Sequence, residues 1–357
     1  MATPLAVTEA QDASNVKEWI AAERGSFVLS ARADVTAIML RGTWISDVDL
    51  DRLVRLNNLT SLDLSYTNIT DAGLERLASL PGVTNLNLAY AELVTDAGIS
   101  FLKNWEHLER LNLRGTKVND SALEHLKKLP RLKVLDASFG EVSDNGLEHL
   151  SDLESLEELT IGGNKMSGVG LHFLKLLPRL ERLDVSGVQR TDSGLWAISV
   201  TDLNLDAVAA LSQLRELRMS GARVSDLGLK QLQALSELRC LDLSGTQVSS
   251  EGLRLLGTLP YLEQLYLWKC QKVDDDAIPV LLAMKRLAVL DLAETQLTDK
   301  GLAELTRSSS LHRLYAGGTR VTAAAVQEFR KRSPRCQVSW GDSRYFDTSG
   351  EERASDD

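Results

Sequence analysis

Cysteine is scarce. The 357-residue sequence holds three, too few for a disulfide framework. Long apolar runs are missing as well: no stretch approaches ~18 uninterrupted apolar residues, which excludes a membrane-spanning helix. Basic side chains are outnumbered 40 to 50, a formal net charge of −10, so the chain lacks the positive surface with which nucleic-acid binders neutralise phosphates. Residues 1–13 lack the basic and apolar regions of a signal peptide, and the expectation is a cytoplasmic, monomeric protein. Aromatic residues are only 5% of the chain, so any cluster of them on a surface needs a reason.

Signatures of chemistry are absent too. C-x-x-C, H-E-x-x-H, G-x-S-x-G and G-x-x-x-x-G-K do not occur, and the expectation is no enzyme and no cofactor. His125 and His149 recur in the same L-E-H-L context, but a zinc site needs three or four ligands and the next repeat has Phe173 at that place. Asp274, Asp275 and Asp276 lack the spacing of a calcium loop.

What is present is a repeat. The unit reads L-x-x-L-x-L-x-x-T-x-V-x-D-x-G-L-x-x-L-x-x-L-P-x. It begins at Val35, Leu59, Val83, Leu108, Leu132, Leu156, Leu180, Leu214, Leu238, Leu262, Leu287 and Leu311, twelve copies spaced by 24 residues eight times, 25 twice and 34 once. Length alone suggests two or three domains, but stacked repeats share one continuous core. Each copy carries two hydrophobic periods. Leu62-Asp63-Leu64 alternates like a strand with one buried face, and Asp71 to Leu80 spaces its leucines as one face of a short helix. Thr70 or Asp71 supplies the cap, and Pro81 stops the helix.

These units resemble leucine-rich repeats over roughly residues 35–340. The 25-residue copy from Leu265 through Cys270 to Ile278 is similar to the cysteine-containing subclass found in substrate-recognition subunits of ubiquitin ligases. Leu241 to Ser249 is similar to repeats of bacterial proteins. The resemblance implies an α/β fold: a right-handed solenoid with parallel strands on a concave face and short helices on the convex face. Residues 14–34 are expected to form an N-terminal cap, with a helix over Ser14–Arg24 and a strand at Ser26–Ser30. Pro334–Trp340 is expected as a closing strand, 196–210 as an insertion that extends a helix or makes a partial repeat, and 341–357 as an acidic disordered tail.

The strand alternation also locates a binding face. Residues between and beside the paired leucines point away from the core. Most are small or polar. Tyr66, Tyr90 and Phe139 form one exception, and Tyr266, Trp268, Lys269, Arg313 and Tyr315 form another. Aspartates recur in the central column, Asp242 and Asp291 among them, and make this face locally acidic. Either the aromatics bind a partner, or they cover neighbouring repeats; the aspartates serve recognition or solubility. Thr43, Thr67, Thr116, Thr246, Thr295 and Thr319 form a structural column that hydrogen-bonds the turn, with Asn164 and Cys270 in the same slot. Cys240 lies on the strand face, the place for a reactive thiol, but no histidine or basic partner is evident beside it. The expected function is a non-enzymatic protein-interaction module that binds another protein on the concave face. The alternative is a ubiquitin-ligase substrate adaptor or a bacterial effector imitating one.

Overall fold

The structure, a computed structural model, describes residues 15–80, 82–187, 189–191, 194–341, 345–346 and 352–353. They fall into two compact units, one of residues up to Leu180 with Val188–Ala197, the other of Glu181–Gly187 with Ile198 onward.

In the first unit, β1 (Ser26–Leu29) runs antiparallel to β2 (Val35–Met39). From β2 the sheet continues in parallel through β3 (Ser61–Asp63), β4 (Asn85–Asn87), β5 (Arg110–Asn112), β6 (Val134–Asp136) and β7 (Glu158–Thr160). A helix over 15–22 precedes β1, with Val16 and Ile20 buried. The second unit opens with β8 (Arg182–Asp184). The chain then forms an antiparallel hairpin belonging to the first unit, β9 (Gln189–Thr191) and β10 (Gly194–Trp196). Parallel pairing in the second unit joins β8 to β11 (Glu216–Arg218), β12 (Cys240–Asp242), β13 (Gln264–Tyr266), β14 (Val289–Asp291), β15 (Arg313–Tyr315) and β16 (Gln337–Ser339). Before β16 the helix Ala323–Arg332 buries Val326 and Phe329. The tail expectation lies mostly outside the described residues; within them β17 (Tyr345–Phe346) pairs antiparallel with β18 (Glu352–Arg353).

Register explains the leucines. Strand partners are spaced one repeat apart, so Leu62, Leu86, Leu111, Leu135 and Leu159 align in one row, all essentially inaccessible. The threonine column donates as expected: Thr67 Oγ1 to the Leu64 carbonyl, Thr116 to Leu113 and Thr295 to Leu292, each at 2.6 Å. Asn164 does more in that slot, donating to the Ala137 and Ile161 carbonyls at 2.8 and 2.7 Å and accepting from the Val142 amide.

A second ladder ties one repeat to the next. Thr70 caps the helix Asp71–Leu77 by accepting from the Ala72 amide. Asp71 does not cap its own helix; it accepts from the amide and hydroxyl of Thr95, the cap of the following helix, at 2.8 and 2.7 Å. The same bond pair runs from Asp47 to Thr70, Asp120 to Ser143, Asp202 to Ser225, Asp226 to Ser249 and Asp299 to Thr322. The glycine of each D-x-G makes room for it. A Cβ on Gly228 would stand 2.5 Å from Asp202 Oδ1 and 2.6 Å from Leu205. Gly228→Ala therefore displaces a carboxylate held by two bonds, and a loss of about 1–2 kcal/mol is expected despite alanine's better helix propensity. Urea unfolding of a double-mutant cycle checks this: in an Asp202→Ala background, where the Leu205 side chain must still give way, the same change costs clearly less. Equal losses in both backgrounds would contradict it.

Two expectations need correction. The extra residues of the 34-residue step are not at 196–210. They form the β9–β10 hairpin, and 201–210 hold a regular repeat helix, Leu205–Ala209. Val200, Leu205 and Val208 pack as expected, but Leu203 is 92% exposed, because it occupies the outward second position of the helix entry. The alternating outer elements are also not uniformly α-helical: Asp47–Arg52, Asn145–Asp152 and Val169–Leu176 are 3-10 helices.

Candidate functional site

The strand exits place the aromatics of the first unit. The residue after each strand's second outward position must turn, and its amide bonds the following repeat: Tyr66 N–H to Ala89, Tyr90 to Arg114 and Phe139 to Gly162, at 2.7–2.9 Å. That turn uses left-handed backbone. Tyr66, Tyr90, Phe139, Lys269 and Glu294 all have φ between 55° and 58°, where other repeats use glycine, as at Gly42, Gly115, Gly163 and Gly245. A side chain there costs roughly 1–2 kcal/mol.

The rings then lie along the repeats. Tyr66 and Tyr90 stack with centroids 4.7 Å apart. The Tyr90 ring covers Gly115, and the Phe139 ring covers Gly163, so closely that a Cβ on either glycine would meet the ring at 2.6–2.7 Å. Arg41 sits 4.6 Å over Tyr66, and Arg114 sits 4.3 Å over Phe139 while donating to the Tyr90 hydroxyl at 3.1 Å and Ser138 Oγ at 3.2 Å. Tyr66 is 47% exposed; Tyr90 and Phe139 are half-buried. The structure thus brings these three together as one row that covers neighbouring repeats, with Arg41 on the Tyr66 ring and Arg114 between Tyr90 and Phe139.

The second unit is built differently. Its outward central row aligns Asp184, Arg218, Asp242, Tyr266, Asp291 and Tyr315 across β8 and β11–β15. Tyr266 stands between Asp242 and Asp291, one strand from each. Trp268 follows on the same segment; its indole N–H donates to Glu294 Oε1 at 3.1 Å, and Lys269 Nζ lies 4.1 Å over its ring and 3.8 Å from Glu294. Tyr266, Trp268 and Tyr315 are half-buried, and Lys269 and Arg313 are exposed.

Asp242 and Asp291 were expected as partner contacts. Both are buried, 0% and 5% exposed, because bulky neighbours stand in the same row where other repeats have small ones. Their first task is internal: Asp242 Oδ1 accepts from the Ser244 amide and Asp291 Oδ1 from the Ala293 amide, both at 2.8 Å. Asp63, Asn87, Asn112, Asp136 and Asp184 do the same in their own repeats. The recurring carboxylate is thus a turn acceptor. The D-x-S spacing carried that signal, which composition alone did not use.

Burial then acts on the charge. Desolvation pushes the Asp291 carboxyl up to about 7 against the Ala293 amide, with the Asp242 carboxylate adding to the rise. Desolvation raises Asp242 as well, against its bonds from Ser244. Asp242 Oδ2 has no hydrogen-bond partner. Arg218, next in the row, is held by Glu216 of its own strand at 2.5 Å. Burial pushes the Cys240 thiol up to about 12, which makes it an inert core group. Cys270 donates to the Leu243 carbonyl at 3.2 Å, a structural role. Among the described residues there is no group of three or more histidine, cysteine or carboxylate side chains placed to hold a metal, and no helix long and apolar enough to cross a membrane.

A family model described as Leucine Rich repeat matches residues 55–78 and 236–257. These segments fall in β3's repeat and at β12's repeat, one in each unit, with the register described above. The chain is a leucine-rich-repeat protein. No curated protein matches its sequence. Among solved structures, this leucine-rich-repeat chain is similar to an internalin from Listeria monocytogenes, at 20% identity over 87% of this chain and 90% of that one, with a TM-score of 0.57. It is also similar to a structure of the Rad7 and Elc1 complex from yeast, at 17% identity, 82% and 78% coverage and a TM-score of 0.58. A third is the plant peptide hormone receptor RGFR1 in complex with RGF2, at 19% identity, 82% and 54% coverage and a TM-score of 0.50. At these identities the likeness is one of fold.

Proposed function

We propose that this leucine-rich-repeat protein is a non-enzymatic interaction module that binds another protein on the strand face of its second unit. The observation that carries the reading is the group Tyr266, Trp268 and Tyr315 on β13, its exit and β15, standing over a buried polar base. Large aromatics around a desolvated centre are what dominate protein interfaces, since they bury area at low entropy cost. Two of the similar structures, Rad7 with Elc1 and the receptor with its peptide hormone, are themselves complexes, which supports this use of the fold. Lys269 and Arg313 supply the charged rim. The reading needs no cofactor, membrane or nucleic acid, and places a single chain in the cytoplasm.

Affinity capture compares the intact protein with a Tyr266→Ala/Trp268→Ala/Tyr315→Ala variant. The expected result is a prey whose affinity falls by about a hundredfold or more in the variant, since removing two or three such anchors costs several kcal/mol. An unchanged prey with the fold intact moves the site to Tyr66, Tyr90 and Phe139. The ligase-adaptor alternative rests on the cysteine-type repeat, and there Cys270 is occupied with an internal bond.

A further inference from the structure

Resting on the proposed use of this face, we infer that the partner presents a basic side chain, arginine or lysine, seated at Tyr266 and shared by Asp242 and Asp291. Three observations lead there. First, the two carboxylates are flanking partners of one residue: Asp242 pairs with Tyr266, and Tyr266 with Asp291. Adjacent strands lie about 4.8 Å apart, so a cation over Tyr266 is within charge range of both. Second, Asp242 is fully buried and its Oδ2 has no hydrogen-bond partner. A buried carboxylate left without a counter-charge is costly, and a cation seated over the row relieves that cost through charge. Arg218, the neighbouring cation, is drawn to Glu216. Third, the wall of the site already holds an ammonium: Lys269 Nζ rests over the Trp268 ring with Glu294 beside it. Guanidinium and ammonium groups both suit such an aromatic and acidic setting.

The charged and titratable groups facing the pair are Asp184 on β8, Glu216 and Arg218 on β11, Cys240 on β12, Tyr266 on β13, Glu294 after β14 and Tyr315 on β15. Acidic groups outnumber the single arginine among them. Without a partner the Asp291 carboxyl, pushed up to about 7, holds its proton below neutrality; a seated cation favours the ionised form and drives that proton off.

The probe is a fluorescein-labelled Gly-Arg-Gly-Arg-Gly peptide, titrated into the full chain by anisotropy, with Gly-Glu-Gly-Glu-Gly as its counterpart. The expected result is saturable binding of the basic peptide alone. Asp242→Asn/Asp291→Asn should weaken it at least about tenfold, while Glu251→Gln/Asp276→Asn, which changes net charge equally on the exposed helical side, should not. Wild-type affinity should also fall at least about tenfold from about pH 8 to about pH 5.5, and the Asp291→Asn variant should lose most of that slope. Circular dichroism checks that the asparagine variants fold; asparagine keeps the oxygen that receives the Ser244 and Ala293 amides. Equal binding by wild type and Asp242→Asn/Asp291→Asn, or no binding of the basic peptide, overturns the inference. If the peptide result is negative while the triple alanine variant still loses its captured prey, the face binds a partner by other chemistry. If the peptide binds and the prey is unaffected, the cation site stands and the partner face lies elsewhere.

Discussion

Replacing Trp105 with alanine is expected to cost about 3–5 kcal/mol of unfolding free energy, the range for emptying a large buried aromatic site. Trp105 is fully inaccessible, and it ends the 3-10 helix Ser100–Asn104. Other repeats place leucine in this column, as at Leu80, Leu129, Leu153 and Leu177. The tryptophan falls in a 25-residue repeat, where it fills more volume than its counterparts. Its indole N–H is buried without a hydrogen-bond partner. That makes Trp105→Leu informative: it leaves a smaller cavity and also removes an unpaired donor, so its cost should fall below half that of alanine. Urea denaturation followed by far-ultraviolet circular dichroism separates the two. A loss under about 1 kcal/mol for alanine would mean that the column collapses around the gap.

Stability should also depend on Asp291 in an unusual direction. Its carboxyl titrates near 7 in the folded chain against an ordinary 3.8. Below the lower value both folded and unfolded chains hold the proton, and the group is neutral in balance. Between the two values only the folded chain holds it. The folded state then binds more protons than the unfolded one, so unfolding free energy falls as pH rises through that window. The full contribution is up to about 4 kcal/mol, lost by about pH 7, and Asp242 shifts in the same sense. Most carboxylates of folded proteins act oppositely, which is why the comparison is with Asp291→Asn. At about pH 4.5 the variant should match wild type, and at about pH 8 it should be more stable by a few kcal/mol. Parallel stability curves for the two proteins would show that Asp291 is solvated.

Much of this was readable from residue spacing. The alternation at Leu62 and Leu64 placed the strands, their faces and their register, because a period of two leaves no freedom once one face is buried. The threonine column was legible for a similar reason: one hydroxyl, one carbonyl three residues back. The hairpin was misplaced because a 34-residue step only confines an insertion to the interval between Leu180 and Leu214. Thr201-Asp202 repeats the Thr70-Asp71 signature and could have fixed the helix start. The fate of Asp242 and Asp291 was not legible in their own repeats. It depends on Tyr266 one strand away from each, and sheet neighbours are a repeat apart in sequence. The aromatic row had a partial signal, since Tyr66, Tyr90 and Phe139 occupy slots where other repeats have glycine. Such a slot implies a left-handed turn and thus a ring directed along the array.

The carboxylate ladder has a direction. Each repeat supplies an acceptor to the one synthesised after it, so a nascent helix start meets its template already in place. Loss of a C-terminal repeat leaves a solvated carboxylate, a harmless remnant; loss of an N-terminal one leaves a capping hydroxyl and amide without their acceptor. The first unit's ladder stops at Gly168, which stands where the aspartate would be. In the second, the amide of Thr201 is taken by Asn204 of its own loop, at 2.8 Å, and Asp202 begins a fresh series. The chain thus contains two separately primed arrays, and the second starts from its own seed.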